Sequence, residues 1–257
     1  GIDVVGILGS TAHWAAPDCH VSAATSRPVV PAPPFASPLA LLRADDDLWW
    51  RPCPPDNLDL AWSHPDNYWG RYVYETVSHF RGQVDVWEMW NEPDIHNVFW
   101  TGTPEQYAQL LRVGYQAAKA ANPEATVLFS GLAYWHDPSF YIKVLDALTQ
   151  LPGAAENNYY FDVMSLHLYS SVYIIRPIVS TIQDNMAARV GAHPIWLTEV
   201  GVPVWDEWEQ ANDGYKLNRA TAEEAAAFVI EGYAEARASG VDKFFFFRAH
   251  DDGMSDF

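Results

Sequence analysis

Two glutamates each close a short apolar run. In VWEMWNEPD (Val86–Asp94) the run ends on Asn91, Glu92 and Pro93; in PIWLTEVG (Pro194–Gly201) it ends on Glu199, with Gly201 close behind. A carboxyl at the mouth of a buried strand loses solvation, which raises its pKa and suits it to deliver a proton near neutral pH. Asn91 offers an amide to a substrate hydroxyl beside it, and Pro93 stiffens the turn that holds the carboxyl. Two carboxyls facing each other in this way form the apparatus of glycoside hydrolysis. One protonates the leaving oxygen; in the retaining scheme the other attacks the anomeric carbon, with the two groups about 5–5.5 Å apart. Glu88 lies four residues before Glu92. At ~3.3 Å per strand residue its Cα stands about 13 Å away, too far to share a substrate atom, and Glu88 is read as structural.

The elements that carry these residues alternate strictly. Ile2–Leu8, Val84–Asn91, Ala125–Gly131, Phe161–Tyr169, Pro194–Gly201 and Lys243–Asp252 read as strands, apolar along the body and polar at the C-terminal end. Helices are expected over Asn67–Arg81, from the capping box Thr103-Pro104-Glu105-Gln106 to Asn122, from Asp137 to about Gln150, over about Pro177–Val190, and from Thr221-Ala222-Glu223-Glu224 to near Gly240. Strand–helix alternation implies a parallel sheet with helices outside it. No Gly-rich phosphate turn marks a doubly wound sheet. The polar strand ends fit an α/β fold of the (β/α)8 TIM-barrel type, whose active site lies at that face. Only six strands are readable, so the chain is expected to cover strands 3 to 8 of a single catalytic barrel domain spanning residues 1–257, truncated at both ends. A Pro-rich loop insert at 15–60 interrupts the regular pattern with RPVVPAPPFASP and RPCPPD.

Composition narrows the function classes. The 257 residues carry a net charge of −18, with 33 acidic against 15 basic side chains. That balance speaks against nucleic acid and against an anionic membrane as partner, and no run approaches the ~20 apolar residues of a membrane span. Twelve Trp supply core filling or flat platforms for the C–H face of a sugar ring. Cys19 and Cys53 flank the insert, either as two thiols or as a disulfide closing it. His167, His193 and His250 lack a metal-ligand spacing, so no metal is expected, and the two-carboxylate mechanism needs no cofactor.

VWEMWNEPD followed by FWTGTPEQYAQLLRVGYQAAKAANPEATVLFSG resembles the clan A glycoside hydrolases, and most closely family 39, the group of β-xylosidases, α-iduronidases and exopolysaccharide hydrolases. The resemblance runs over about Asn67–Asp252 and is sharpest at WNEP, SLHLY and WLTEVG. It implies a (β/α)8 barrel with the acid/base on the fourth strand, Glu92, and the nucleophile on the seventh, Glu199. It also implies that Asn91 binds the sugar 2-hydroxyl, that Tyr169 of the His167-x-Tyr169 pattern stands near the nucleophile, and that His13 binds sugar. Where many clan members have a Trp floor at the end of the eighth strand, Phe247 or His250 would serve. Trp14, Trp49 and Trp50 are candidate stacking residues on the cleft rim. The expected partner is therefore a carbohydrate, and the resemblance also admits an endo-glucanase or mannanase, or a silent glycan-binding barrel. A secreted or periplasmic location follows from a polysaccharide substrate, since no signal peptide is visible; the oligomeric state is left open.

Overall fold

The computed structural model describes residues 4–19, 52–169, 171–202 and 220–247. Among these residues six strands alternate with five α-helices: β1 (Val5–Leu8), α1 (Tyr68–Phe80), β2 (Val86–Met89), α2 (Pro104–Ala121), β3 (Thr126–Leu128), α3 (Phe140–Thr149), β4 (Met164–Tyr169), α4 (Ile175–Ala187), β5 (Ile195–Gly201), α5 (Ala222–Ala238) and β6 (Val241–Phe246). The observed strands are shorter than the apolar runs, and β6 starts two residues earlier than expected. The reason is that apolar residues flanking a strand stay buried without joining the ladder. The helix signals are local and hold. Asn67 caps α1 by accepting from Gly70 N. Thr103 and Thr221 each close a full capping box, with Gln106 and Glu224 reaching back to the cap.

All pairing among the named strands is parallel, in two three-stranded sheets, β1-β2-β3 and β4-β5-β6. Parallel bridges Leu128↔Val163 and Leu132↔Leu166 join β3 to β4, so the six strands follow one another in chain order. Period-two alternation sorts the side chains. On β4, Met164, Leu166 and Leu168 belong to the large core shared with the helices. Ser165, His167 and Tyr169 alternate with them and turn to the other face. There a smaller apolar cluster, Leu128, Val163 and Trp196 with Val5, Val86 and Phe245, draws one residue from or beside each strand. The α/β reading with helices packed on a parallel sheet therefore holds.

The ends of the Pro-rich insert are tied together. Cys19 and Cys53 form a disulfide with a Cα–Cα distance of 5.9 Å. Thr11 Oγ1 donates to Cys53 O at 2.6 Å and Asp56 N to Ala15 O at 2.8 Å. Arg112 of α2 reaches over to Leu58 O at 2.8 Å. Trp49, Trp50, His250 and the side chain of His13 lie outside the described residues.

Candidate active site

The end of β2 leaves regular geometry at once. Trp90 and Glu92 both have left-handed backbone, φ 81° and φ 43°, which costs a bulky residue about 1–3 kcal/mol each. Glu92 also precedes Pro93, a position that ordinarily takes extended backbone. The strain is held by neighbours on both sides. Trp90 N donates to Leu8 O at 2.6 Å on the β1 side, and Glu92 N to Gly131 O at 3.0 Å on the β3 side. Asn91 bridges Gly131. The Trp90 indole is buried and donates to Phe99 O at 2.7 Å. This zigzag sets the direction of the Glu92 side chain.

Glu199 is set by a different device. Leu166 pairs with Leu197 but His167 pairs with Glu199, so β5 carries one extra residue, Thr198, in a bulge. Bulges re-aim side chains. Here Thr198 Oγ1 meets Ser165 Oγ at 2.5 Å while the adjacent Glu199 accepts from Tyr169 OH at 2.5 Å. Consecutive residues therefore both reach the face that carries Ser165, His167 and Tyr169. Gly201 is the last residue of β5. A Cβ there would overlap the Phe247 carbonyl.

His167 joins the two glutamates. Its Nδ1 lies 2.9 Å from Glu92 Oε1 and 3.6 Å from Glu199 Oε2. One carboxylate oxygen of each glutamate and one ring nitrogen of His167 all lie within 4.8 Å of one another. The His167 side chain is fully buried, while Glu92 and Glu199 keep 14% and 21% exposure, enough for a ligand to reach them. Since Nδ1 is already engaged with Glu92 and the Tyr169 hydroxyl with Glu199, the trio reads as a hydrogen-bonded proton network. Burial opposes the imidazolium, but the bond to Glu92 and the charges of Glu199, Glu88 and Glu92 outweigh it, and the His167 pKa is raised. Phe247 stands edge-on to Tyr169, ring centroids 6.4 Å apart, and its N–H extends the β6 pairing to Val200 O at 2.8 Å. Trp14 is 64% exposed and packs edge-on against Tyr68.

Two buried acids flank the trio: Glu88, read from sequence as structural, and Asp94, which the sequence reading did not single out. Glu88 is fully buried; its Oε2 accepts from Ser165 Oγ at 2.5 Å and its Oε1 faces His167 Nε2 at 3.9 Å. The separation from Glu92 along β2 hid that both side chains reach one imidazole. The available signal was a charged residue in the middle of a buried apolar strand. Asp94, 1% exposed, accepts from Ala133 N at 3.1 Å and ties the end of β2 to the segment after β3. Burial, with the Glu92 charge in support, lifts its carboxyl to about 6.

The fold has relatives among solved structures. The chain shares its fold with family 39 glycoside hydrolases. It superposes on a glucosidase from Croceicoccus marinus with a TM-score of 0.57 and 20% identity, covering 77% of this chain and 40% of that one. A GH39 β-xylosidase from Caulobacter crescentus gives a TM-score of 0.51 at 18% identity, with the same two coverages. The GH39 enzyme from Xanthomonas axonopodis pv. citri gives 0.53 at 16% identity, covering 77% and 38%. In sequence, a β-xylosidase from Caldicellulosiruptor saccharolyticus is 33% identical over 72 residues, 24% of this chain and 15% of that protein. No family model matches the sequence. The resemblance read from WNEP, SLHLY and WLTEVG thus agrees with these relatives. The catalytic domains of such relatives are TIM barrels, of which the chain matches a part, and the chain spans well under half the length of each of these four proteins.

Proposed function

We propose that the chain is the catalytic part of a retaining glycoside hydrolase, a (β/α)8 barrel of which β1–β6 are strands 3 to 8. The observation that carries the reading is the approach of Glu92 and Glu199, oxygens within 4.8 Å, from the ends of two different strands. That spacing suits a nucleophile and an acid/base acting on one anomeric carbon without room for a water between them. Glu92 gives its proton to the glycosidic oxygen as the Glu199 carboxylate attacks the anomeric carbon, and the C–O bond to the leaving group breaks. Glu92 then takes a proton from water, which attacks the same carbon and releases Glu199 from its ester. Tyr169, bonded to Glu199 Oε2, aims the nucleophile through its other oxygen. Asn91 binds the sugar 2-hydroxyl beside Glu92, and Phe247 walls the site beside Tyr169; His13, Trp14 and His250 are the further sugar-binding candidates.

The substrate proposed is a β-linked oligo- or polysaccharide, in keeping with the β-xylosidases among the relatives. The Cys19–Cys53 disulfide supports a secreted or periplasmic location, where such bonds persist. Among the described residues no helix is long and apolar enough to cross a membrane.

The test is hydrolysis of aryl glycosides of xylose, glucose, galactose, mannose and arabinose in both anomers, with Glu199→Gly beside the wild type. Release from one sugar, abolished by the variant and restored by azide as a glycosyl azide of the opposite anomer, is expected. Azide that restores nothing in an otherwise folded variant removes Glu199 from the nucleophile role. Silence on all aryl glycosides and on polysaccharides, with sugar still bound, replaces the hydrolase by a binding barrel.

A further inference from the structure

Beneath the two glutamates lies a third acidic residue that the reaction does not use. Glu88 sits in the middle of β2 with no exposed surface. Two hydroxyls secure one side of it: Ser165 Oγ donates to Oε2, and Thr198 Oγ1 lies 2.5 Å from Ser165 Oγ. The other oxygen, Oε1, has no hydrogen-bond partner among the described residues, and neither does His167 Nε2. These two unpartnered buried atoms face each other at 3.9 Å. Gly131 packs against the same nitrogen so closely that a Cβ there would overlap the imidazole ring, which leaves Glu88 as the counter-group on that side.

A carboxyl buried in an apolar strand is costly to keep, because burial strips it of water. We propose that Glu88 is a positioning residue, whose carboxylate holds the proton on His167 Nε2 and so turns Nδ1 to Glu92 and Glu199. The electrostatic need is specific. On the Nδ1 side stand two carboxylates, Glu92 at 2.9 Å and Glu199 at 3.6 Å. In a neutral imidazole they would draw the single proton to Nδ1 and leave Nε2 bare against an anion. With Glu88 opposing them, Nε2 keeps its proton, and one further proton is shared between Nδ1 and Glu92.

Among the described residues, the acids facing His167 are Glu88 on β2, Glu92 just past its end and Glu199 on β5. Around them lie the hydroxyls of Ser165 and Tyr169 on β4 and of Thr198 on β5, with the Gly131 backbone beyond β3. Tyr107 of α2, whose hydroxyl donates to Met89 O, interacts with Glu88 from behind and stays neutral, its pKa held well above the usual phenol range by burial. Burial also raises the Glu88 carboxyl, against the pull of His167 and the two hydroxyls. Both this shift and that of His167 mean the cluster holds protons to higher pH than its separate members would.

The inference deepens the hydrolase reading and rests on its site, but its test needs no turnover. In the 15N-labelled chain, two-bond proton–nitrogen correlations report the tautomer and midpoint of each imidazole, His167 being assigned by its loss in His167→Asn. In the wild type the neutral form is expected to carry its proton on Nε2, with a midpoint above the ordinary histidine value. Glu88→Gln keeps the shape and removes the charge, and should lower that midpoint by about one to three units, the effect of a charge at this distance. Glu88→Asp keeps the charge and should restore most of the shift. Ser165→Ala, which loosens the carboxylate and leaves β2 intact, should lower the midpoint by a smaller step and serves where Glu88→Gln fails to fold. An unmoved midpoint in both Glu88→Gln and Ser165→Ala, or an Nδ1–H tautomer in the wild type, overturns the proposal. A chain inactive on every glycoside leaves it standing, and an active one with an unmoved imidazole sinks it alone.

Discussion

Asp94 is a buried acid whose energetics can be worked from its surroundings. Oδ1 accepts from Ala133 N at 3.1 Å, while Oδ2 has no partner among the described residues. Ionisation therefore charges an oxygen that burial has stripped of water, and the carboxyl rises from 3.8 to about 6. A raised carboxyl pKa means that the folded state binds the proton more tightly than the unfolded one. Stability is then highest below the unfolded value, falls as pH climbs toward 6, and levels off above it. A shift of about two units is worth about 3 kcal/mol in all, of which about 2 kcal/mol is lost between pH 4 and pH 7. Asp94→Asn keeps the shape and the acceptor for Ala133 but does not titrate. It buries an unpaired NH2, at a cost of roughly 1–3 kcal/mol at every pH. The observable is the difference between the two proteins. In urea denaturation followed by Trp fluorescence, the stability of Asp94→Asn relative to wild type should improve by about 2 kcal/mol from pH 4 to pH 7. All other titrating groups cancel in this difference to first order. A difference that stays level across the range, or moves the other way, refutes the assignment of a strained, charged Asp94.

Tyr169→Phe removes the hydroxyl from Glu199 Oε2 and should cut kcat about 10–100-fold on an aryl glycoside, the worth of a hydrogen bond to a charged group, with little change in melting temperature; an undiminished kcat would detach Tyr169 from the nucleophile. Gly131→Ala places a methyl against the His167 ring and should destabilise by about 1–3 kcal/mol while lowering activity, and denaturation curves superposing on wild type would show that the ring moves freely there. Replacing both Cys19 and Cys53 by Ser opens a cross-link of sequence separation 34, which chain entropy puts at about 3–4 kcal/mol; the urea midpoint should fall accordingly, and an unchanged midpoint would mean the bond does not restrain the unfolded chain.

The parts of the site legible in sequence were those set by short-range rules. Thr103 and Thr221 announce helix starts because a capping box is complete within four residues. His167 and Tyr169 are separated by one residue on a strand, so their shared face follows from the pleat alone. Glu92 and Glu199 stand out because a carboxylate closing an apolar run is a local anomaly. Glu88 was read as structural on the same local grounds, and its contacts with Ser165 and His167 were not visible there. Distance along β2 separates it from Glu92, but its chemistry depends on β4, one strand further than its nearest partner.

Only the tertiary structure decided the rest. The bulge at Thr198, which brings Glu199 beside His167, is a mismatch between two strands and leaves no mark in either taken alone. The left-handed turn through Trp90 and Glu92 persists because Leu8 and Gly131, on opposite sides, accept their amides. Gly131 shows its purpose only once the imidazole of His167 lies against it. Sequence determined which elements form and which residues could react, since those depend on propensity and pattern within a few residues. The approach of the two carboxylates, the third acid beneath them and the pairing of Cys19 with Cys53 depend on strand register and chain path, which are fixed only when distant segments pack.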